Sequence, residues 1–270
     1  MRKFVAVLVL LAFTPNSFAW GPRGHRIAAR IAQTHLSEAT RLQIQALLGS
    51  DDLAAVSTWA DEIRKQRPET AGWHFVDIPL NASGFSEPRD CSRPEKKHRV
   101  TVAHNCVVDR IALFEQVLKN SNAPQQDRIE ALKFLVHLVA DVHQPMHAMG
   151  EANAGNDIHI IEFGRTQCGD RPCNLHFLWD TDLIEHTHRS EKKWVAHLEN
   201  TISREHLQRR ANGNPEDWTN ESFHLAKRVW LNDGSSVDDS YYTANIGALD
   251  NRLALAGLRL AALLNEALGK

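Results

Sequence analysis

Two pairs of residues combine metal-binding chemistry with helical spacing. His137 and Asp141 are four apart in FLVHLVAD, and His176 and Asp180 are four apart in NLHFLWD. Residues at that interval share one helix face, so each apolar segment presents an imidazole beside a carboxylate. Burying such groups is costly unless they are hydrogen-bonded or hold an ion. A structural His–Asp hydrogen bond would satisfy one pair. The arrangement recurs, however, and His147 lies beyond Pro145, which must end or kink the helix and bring His147 in from another direction. Imidazoles and carboxylates converging from bent elements suit a metal cluster, and the chain carries 15 His, a common zinc ligand. His143 is off the His137/Asp141 face and reads as a supporting or structural residue.

Further candidates lie upstream. WAD places Asp61 on a helix behind Trp59, and Arg64 follows one turn later, toward the same cavity. His74, Phe75 and Asp77 are close together in GWHFVD. Trp20 and His25 occur in WGPRGH; taken alone, His25 and His74 are ordinary polar positions. An α-amino group, with a pKa of about 7.7–8, can lose its proton on coordination. A chain beginning at Trp20 could therefore bind metal through its amino group, with the Trp20 carbonyl completing a chelate.

The elements that must position these groups read as helices. Apolar residues recur at three- and four-residue intervals in HRIAARIAQTHL, SEATRLQIQALLG, LAAVSTWADEIRK, VTVAHNCVVDRIALFEQVLKN, QQDRIEALKFLVHLVADVHQ, NLHFLWDTDLIEHT, KKWVAHLEN, WTNESFHLAKRVWL and GALDNRLALAGLRLAALLNEAL. Gly49, Pro68, Pro124, Pro145, residues 213–215 and Gly234 separate them. Residues 74–93 and 150–172 lack the period and read as loops, with a short hairpin around IHIIEFG. With no repeat and no polar linker, one helical domain is the simplest organisation.

Residues 1–19 stand apart: Arg2 and Lys3, an apolar run from Phe4 to Phe13, then Ser17-Phe18-Ala19. This pattern predicts a secretory signal peptide, with export to the periplasm or outside the cell. The run is too short to span a membrane, and no later stretch reaches the required length. In an exported chain, four Cys favour two disulfides. Cys168 and Cys173 enclose only GDRP and could close locally, leaving Cys91 for Cys106. A net charge of -2 excludes binding through a broad basic surface, so phosphate recognition must be local. Asn81 and Asn220 begin glycosylation sequons.

Together, WGPRGH, WAD, WHFVD, HNCVVD, LKFLVHLVADVHQPMH, AGND, NLHFLWD and AGLRLAALLN resemble the trinuclear-zinc, single-strand-specific nucleases of fungi and plants, the nuclease I family, and their bacterial relatives. The resemblance covers nearly all of residues 20–269. It implies an all-α fold, one compact domain over residues 20–270 around a buried cluster of three Zn2+, with an architecture like that of zinc-dependent phospholipases C. By this resemblance Asp61, His74, His137 and Asp141 hold the first zinc, and His147, His176 and Asp180 the second. The third falls to the Trp20 amino group and carbonyl, His25 and a bridging Asp141. The implied activity is endonucleolytic cleavage of single-stranded DNA and RNA to 5'-phosphorylated products, with 3'-nucleotidase activity. A zinc-activated water would attack phosphorus in line, while zinc neutralises the departing 3'-oxygen.

Within that frame Asp61 also orients the nucleophile, and Arg64 is the transition-state clamp, with a surface salt bridge as its alternative. Phe75 would stack on a base and Asp77 accept from its Watson–Crick edge. Asn156 and Asp157 orient ligands or line the groove, against a turn-forming role. Ala154 departs from the Gly found in many relatives. Two rivals remain: a zinc phospholipase C, expected to show an apolar rim that the sequence lacks, and a zinc-binding helical protein without turnover. No stable protein partner is implied, and a monomer is expected.

Overall fold

The computed structural model describes residues 20–91, 93–94, 101–102 and 105–269. The predicted signal peptide therefore lies outside the described residues. In chain order the helices are α1 (Pro22–Thr34), α2 (Glu38–Leu48), α3 (Trp59–Ile63), α4 (Glu87–Asp90), α5 (Val107–Lys119), α6 (Gln125–Asp141), α7 (Leu175–Phe177), α8 (Leu183–His186), α9 (Glu191–Glu205), α10 (Pro215–Val229) and α11 (Asp239–Leu268). Short strands β1 (Arg93–Pro94), β2 (Thr101–Val102), β3 (Ile160–Glu162), β4 (Gln167–Cys168), β5 (Arg171–Pro172) and β6 (Ser235–Val237) form only two-stranded pairs. This is a mainly helical single domain, as the periodicity predicts.

Local chemistry sets many of the helix ends. Ser37 accepts from the Thr40 N–H at the start of α2, and Asn214 and Asp217 form a reciprocal capping box on α10. Asp238 accepts from Ser240 and Tyr241 to start α11, about two turns before the apolar period becomes visible at Gly247. α11 is the central strut, buried from Leu249 through Ala261 except at Asn251, and α1 crosses it where Gly257 meets Ile31. α6 is buried without interruption from Phe134 to Asp141, which brings His137 and Asp141 to the centre of the molecule.

Several expectations need correction. LAAVSTWADEIRK is helical only from Trp59; residues 53–58 form turns, in which the Ser57 hydroxyl donates to Ala54 O. The Ser57 carbonyl instead accepts from His137 Nδ1 at 2.7 Å, so a long-range bond takes an acceptor that a helix would have used. In VTVAHNCVVDRIALFEQVLKN, α5 starts at Val107, because Cys106 is extended and bonded to Cys91; residues 103–104 lie outside the described residues. The expected hairpin around IHIIEFG is a tight bridge between Glu162 and Arg165, while β3 itself pairs in parallel with distant β6. The true hairpin is β4–β5, where Cys168 and Cys173 are joined. Both predicted disulfides are therefore present. No helix among the described residues is long and apolar enough to cross a membrane.

Candidate metal centre and nucleic-acid cleft

The C-terminal half of α6 supplies the centre. His137 Nε2 lies 3.2 Å from Asp141 Oδ2, confirming that this pair shares a face. α1 brings His25, whose Nε2 is 3.4 Å from Asp141 Oδ1 and whose ring stacks on His137 at 3.9 Å. α3 brings Asp61, with its two oxygens 3.6 Å from His137 Nε2 and 3.7 Å from His74 Nδ1. His74 ends a 3-10 turn over Pro68–His74 and places Nδ1 3.0 Å from Asp141 Oδ2 and 3.1 Å from His137 Nε2.

A second group lies alongside. After α6 ends, Pro145 starts a 3-10 turn over Pro145–Ala148 that turns His147 back toward the centre, as proline at that position requires. His176 lies in α7, and the chain then passes into a π-helical turn over Leu178–Asp182 that holds Asp180. Such turns are rare and concentrate at functional sites. Asp180 Oδ2 is 3.1 Å from His176 Nε2, and Oδ1 is 3.9 Å from His147 Nε2. All of these side chains are buried.

Three sets therefore converge: Asp61/His74/His137, His25/His137/Asp141 and His147/His176/Asp180, each with one ligand atom per residue within 4.8 Å of the others. The Nδ1–H groups of His137, His147 and His176 donate to the carbonyls of Ser57, His74 and Ala154 at 2.7, 2.9 and 2.8 Å. This fixes the tautomer that turns each Nε2 lone pair inward, the usual support for a metal-binding imidazole. Both ring nitrogens of His25, with His74 Nε2, Asp141 Oδ1 and His176 Nε2, are buried without a hydrogen-bond partner. Orphaned nitrogen and carboxylate donors facing one another fit divalent zinc, which takes these ligands and neutralises the buried carboxylates. The thiol-containing groupings are excluded, since those cysteines are disulfide-bonded.

Without an ion the imidazoles cannot all hold the same charge. Burial pushes His147 down to about 3 and also lowers His25 and His74. Burial opposes charge on His137 too, but the Asp141 and Asp61 carboxylates outweigh it and raise His137 to about 9. Asp141, although buried, is held well below its ordinary value by the charge on His137 and by the His25 and His74 imidazoles beside it.

Trp20 is fully buried: its indole N–H donates to Ala140 O at 2.9 Å, and the next N–H, of Gly21, donates to Asp180 O at 2.7 Å. Residues 20 and 21 together thus bridge the segments carrying Asp141 and Asp180. His143 stands aside, as its helix angle predicts. Its Nδ1 donates to Val139 O and its Nε2 accepts from Arg259, while burial, Arg252 and Arg259 keep it well below its ordinary pKa and neutral. Arg252, which donates to His143 O, and Arg259 share Glu221, and this network secures the chain at the end of α6.

Over the centre opens a cavity of about 430 Å³, with His74, His147 and His176 in its lining. Arg64, Phe75, Asp77 and Asn156 line it as the sequence predicts, together with Gly150, Asn153 and Ala154. Arg64 Nη1 is 3.3 Å from Asp61 Oδ1, so the alternative of an ion pair holds as well, but its partner is a buried carboxylate of the centre and not a surface group. Val76 N–H donates to His147 O and Gly150 N–H to Ile78 O, pairing the Phe75–Asp77 wall with the His147 turn. Residues 152–155 all have positive φ, at 45°, 54°, 57° and 81°. Non-glycine residues adopt this conformation at a cost of about 1–2 kcal/mol each, and here it aims Ala154 O at His176. Asp157 departs from expectation: it is exposed, does not line the cavity, and its N–H bonds Ala152 O in the turn. Asn153 and Gln144, which the sequence reading missed, carry no periodic or paired signal.

Residues 20–269 match the S1/P1 Nuclease family model. The chain belongs to the S1/P1 nuclease family. It is 29% identical to Endonuclease 4 of Arabidopsis thaliana, over 97% of this chain and 94% of that protein. Identity is 26% with Nuclease S1 of Aspergillus oryzae, over 94% of each chain. With Nuclease P1 of Penicillium citrinum it is 27%, over 92% of this chain and 97% of the other. This member of the family is a zinc-dependent nuclease that hydrolyses phosphodiester bonds of single-stranded nucleic acid. The lipid-phosphodiesterase alternative draws no support from these matches.

Proposed function

We propose that the chain is an exported endonuclease holding three zinc ions, which cuts single-stranded DNA and RNA to 5'-phosphorylated products and also acts as a 3'-nucleotidase. The supporting observation is the convergence of three donor sets beneath a cavity whose wall carries Arg64, Phe75 and Asp77. Asp61, His74, His137 and Asp141 would hold the first ion, and His147, His176 and Asp180 the second. His25, Asp141 and the main-chain amino and carbonyl groups of Trp20 would hold the third, which requires cleavage after Ala19. Bound zinc would acidify water near neutral pH and draw charge from the phosphoryl oxygens.

The chain's own residues do the rest. Asp61 positions the attacking water and holds Arg64, whose guanidinium donates to the non-bridging oxygens as their charge grows. Phe75 stacks on one base and Asp77 accepts from its edge, while Asn156 borders the same pocket. A cavity of this size admits one splayed nucleotide, so a duplex must first unstack at a cost of a few kcal/mol. Residues 1–19 and the two disulfides support export, and one domain with its own core supports a monomer.

The test is release of acid-soluble 5'-nucleotides from single-stranded DNA by protein starting at Trp20, before chelation, after it, and after zinc is restored. Release lost on chelation and regained with zinc supports the proposal. Folded, zinc-loaded protein that releases none but hydrolyses short-chain phosphatidylcholine overturns it.

A further inference from the structure

Gln144 is completely buried between the 3-10 turn that carries His147 and the π-helical turn that carries Asp180. Its side-chain amide bonds in both directions. Oε1 accepts from the Met146 N–H, and Nε2 donates to Asp180 Oδ1. The orientation is not arbitrary. A backbone N–H can only donate, so the amide atom facing Met146 must be the oxygen, and the NH2 must then face the carboxylate. The Gln144 backbone joins in, since its carbonyl accepts from the His147 N–H at 3.1 Å.

We infer that Gln144 is the positioning residue of the His147/His176/Asp180 metal site, tying its two carriers together through one amide; the inference rests on the metal reading of that triad. His147 and Asp180 approach from segments 33 to 36 residues apart with Nε2 and Oδ1 still 3.9 Å from each other, so no direct bond sets their separation. Gln144 does so instead. It holds the turn with its oxygen and rotates the Asp180 carboxylate with its NH2, leaving Oδ2 facing His176 Nε2. The other ligands of this triad are oriented by backbone: His147 by the His74 carbonyl and His176 by the Ala154 carbonyl. In this triad, Asp180 is the ligand whose orientation comes from a side chain, and a mutation can therefore remove that support.

The test counts zinc ions retained by native mass spectrometry while zinc-loaded protein is titrated with a competing chelator. Wild type is compared with Gln144→Met, which removes both bonds at similar volume, Gln144→Glu, which keeps the acceptor for Met146 but loses the donor to Asp180, and His176→Ala. Expected is that both Gln144 variants release one ion at about 10- to 100-fold lower chelator strength than wild type, the range typical of lost support to a ligand. The remaining ions should follow the wild-type curve, and the metal-free variants should melt within a few degrees of metal-free wild type. Loss in Gln144→Met alone would make Gln144 a cap of the 3-10 turn and overturn the inference, as would wild-type retention in both. If His176→Ala keeps as many ions as wild type, the metal reading of the triad fails instead.

Discussion

Replacing Gly257 by alanine adds one methyl group at the crossing of α1 and α11. The new Cβ would lie 2.5 Å from Ile31 Cβ, 2.6 Å from its Cγ2 and 2.7 Å from the Ala28 carbonyl oxygen, where ordinary contact begins near 3.4 Å. The carbonyl belongs to the helix backbone and the Ile31 Cβ is fixed to it, so neither can rotate away and α1 must retreat by about 0.7–0.9 Å. Overpacking of this kind costs about 1–3 kcal/mol, here at the upper end because backbone is involved. Helix propensity returns about 1 kcal/mol for Gly→Ala. The net loss is about 2 kcal/mol, or about 4–8 °C in Tm for a domain of this size. Gly247 lies in the same helix, is exposed, and a methyl group added there would meet nothing within 4 Å. Gly247→Ala should therefore gain about 1 kcal/mol and melt about 2–4 °C higher. Both variants should be melted metal-free by circular dichroism, because ions that bind only the folded state would mask the difference. Gly257→Ala melting at or above wild type would refute the steric argument. A fall in Gly247→Ala equal to that in Gly257→Ala would refute the propensity argument.

Other residues give independent tests. Glu221 bonds Arg252 and Arg259, whose guanidiniums are almost fully buried, and although burial acts the other way those two arginines hold its carboxyl below the ordinary glutamate value. A depressed carboxylate stabilises the fold above its unfolded pKa and loses that contribution as pH falls through the folded value. Glu221→Gln should cost about 2 kcal/mol near neutral pH, less than for a wholly buried pair because Glu221 is partly exposed. In urea titrations the gap from wild type should stay constant above about pH 4.5 and close below it; a gap that widens in acid contradicts the assignment. Arg64→Ala should lower kcat on single-stranded DNA by about 100-fold with zinc content unchanged, and a parallel loss of zinc would show that Arg64 serves mainly to hold Asp61. Phe75→Ala should raise KM by about 10-fold or more, from a stacking contribution of about 1–3 kcal/mol, with kcat nearly constant; unchanged KM would remove Phe75 from the base pocket.

His137/Asp141 and His176/Asp180 were legible in the sequence because a helix turns an interval of four into adjacency whatever surrounds it. The same local logic covers the end of α6 before Pro145, the closure of Cys168 with Cys173, and the dominance of helix over sheet. The break at Pro145 added His147 to those pairs, whereas assigning His25, Asp61 and His74 to the cluster depended on resemblance, since each reaches the centre from a separate element. His25 is placed by α1, which crosses α11 at Gly257, His147 by the 3-10 turn after α6, Asp61 by α3 and His74 by the 3-10 turn over Pro68–His74.

Where the sequence misled, a long-range bond had displaced a local one. The Ser57 carbonyl serves His137 rather than a helix, and β3 takes distant β6 as its partner rather than its own hairpin. Asp157 had the right chemistry beside Asn156, but the left-handed turn over residues 152–155 directs it outward. Gln144 shows the limit most clearly. An amide carries no charge and no period to mark it, and its meaning appears only when folding sets one end against Met146 and the other against Asp180, 36 residues away. Spacing within one helix is a property of the chain. The distance between two carriers of a metal site is decided by tertiary packing, which places a side chain such as Gln144 between them.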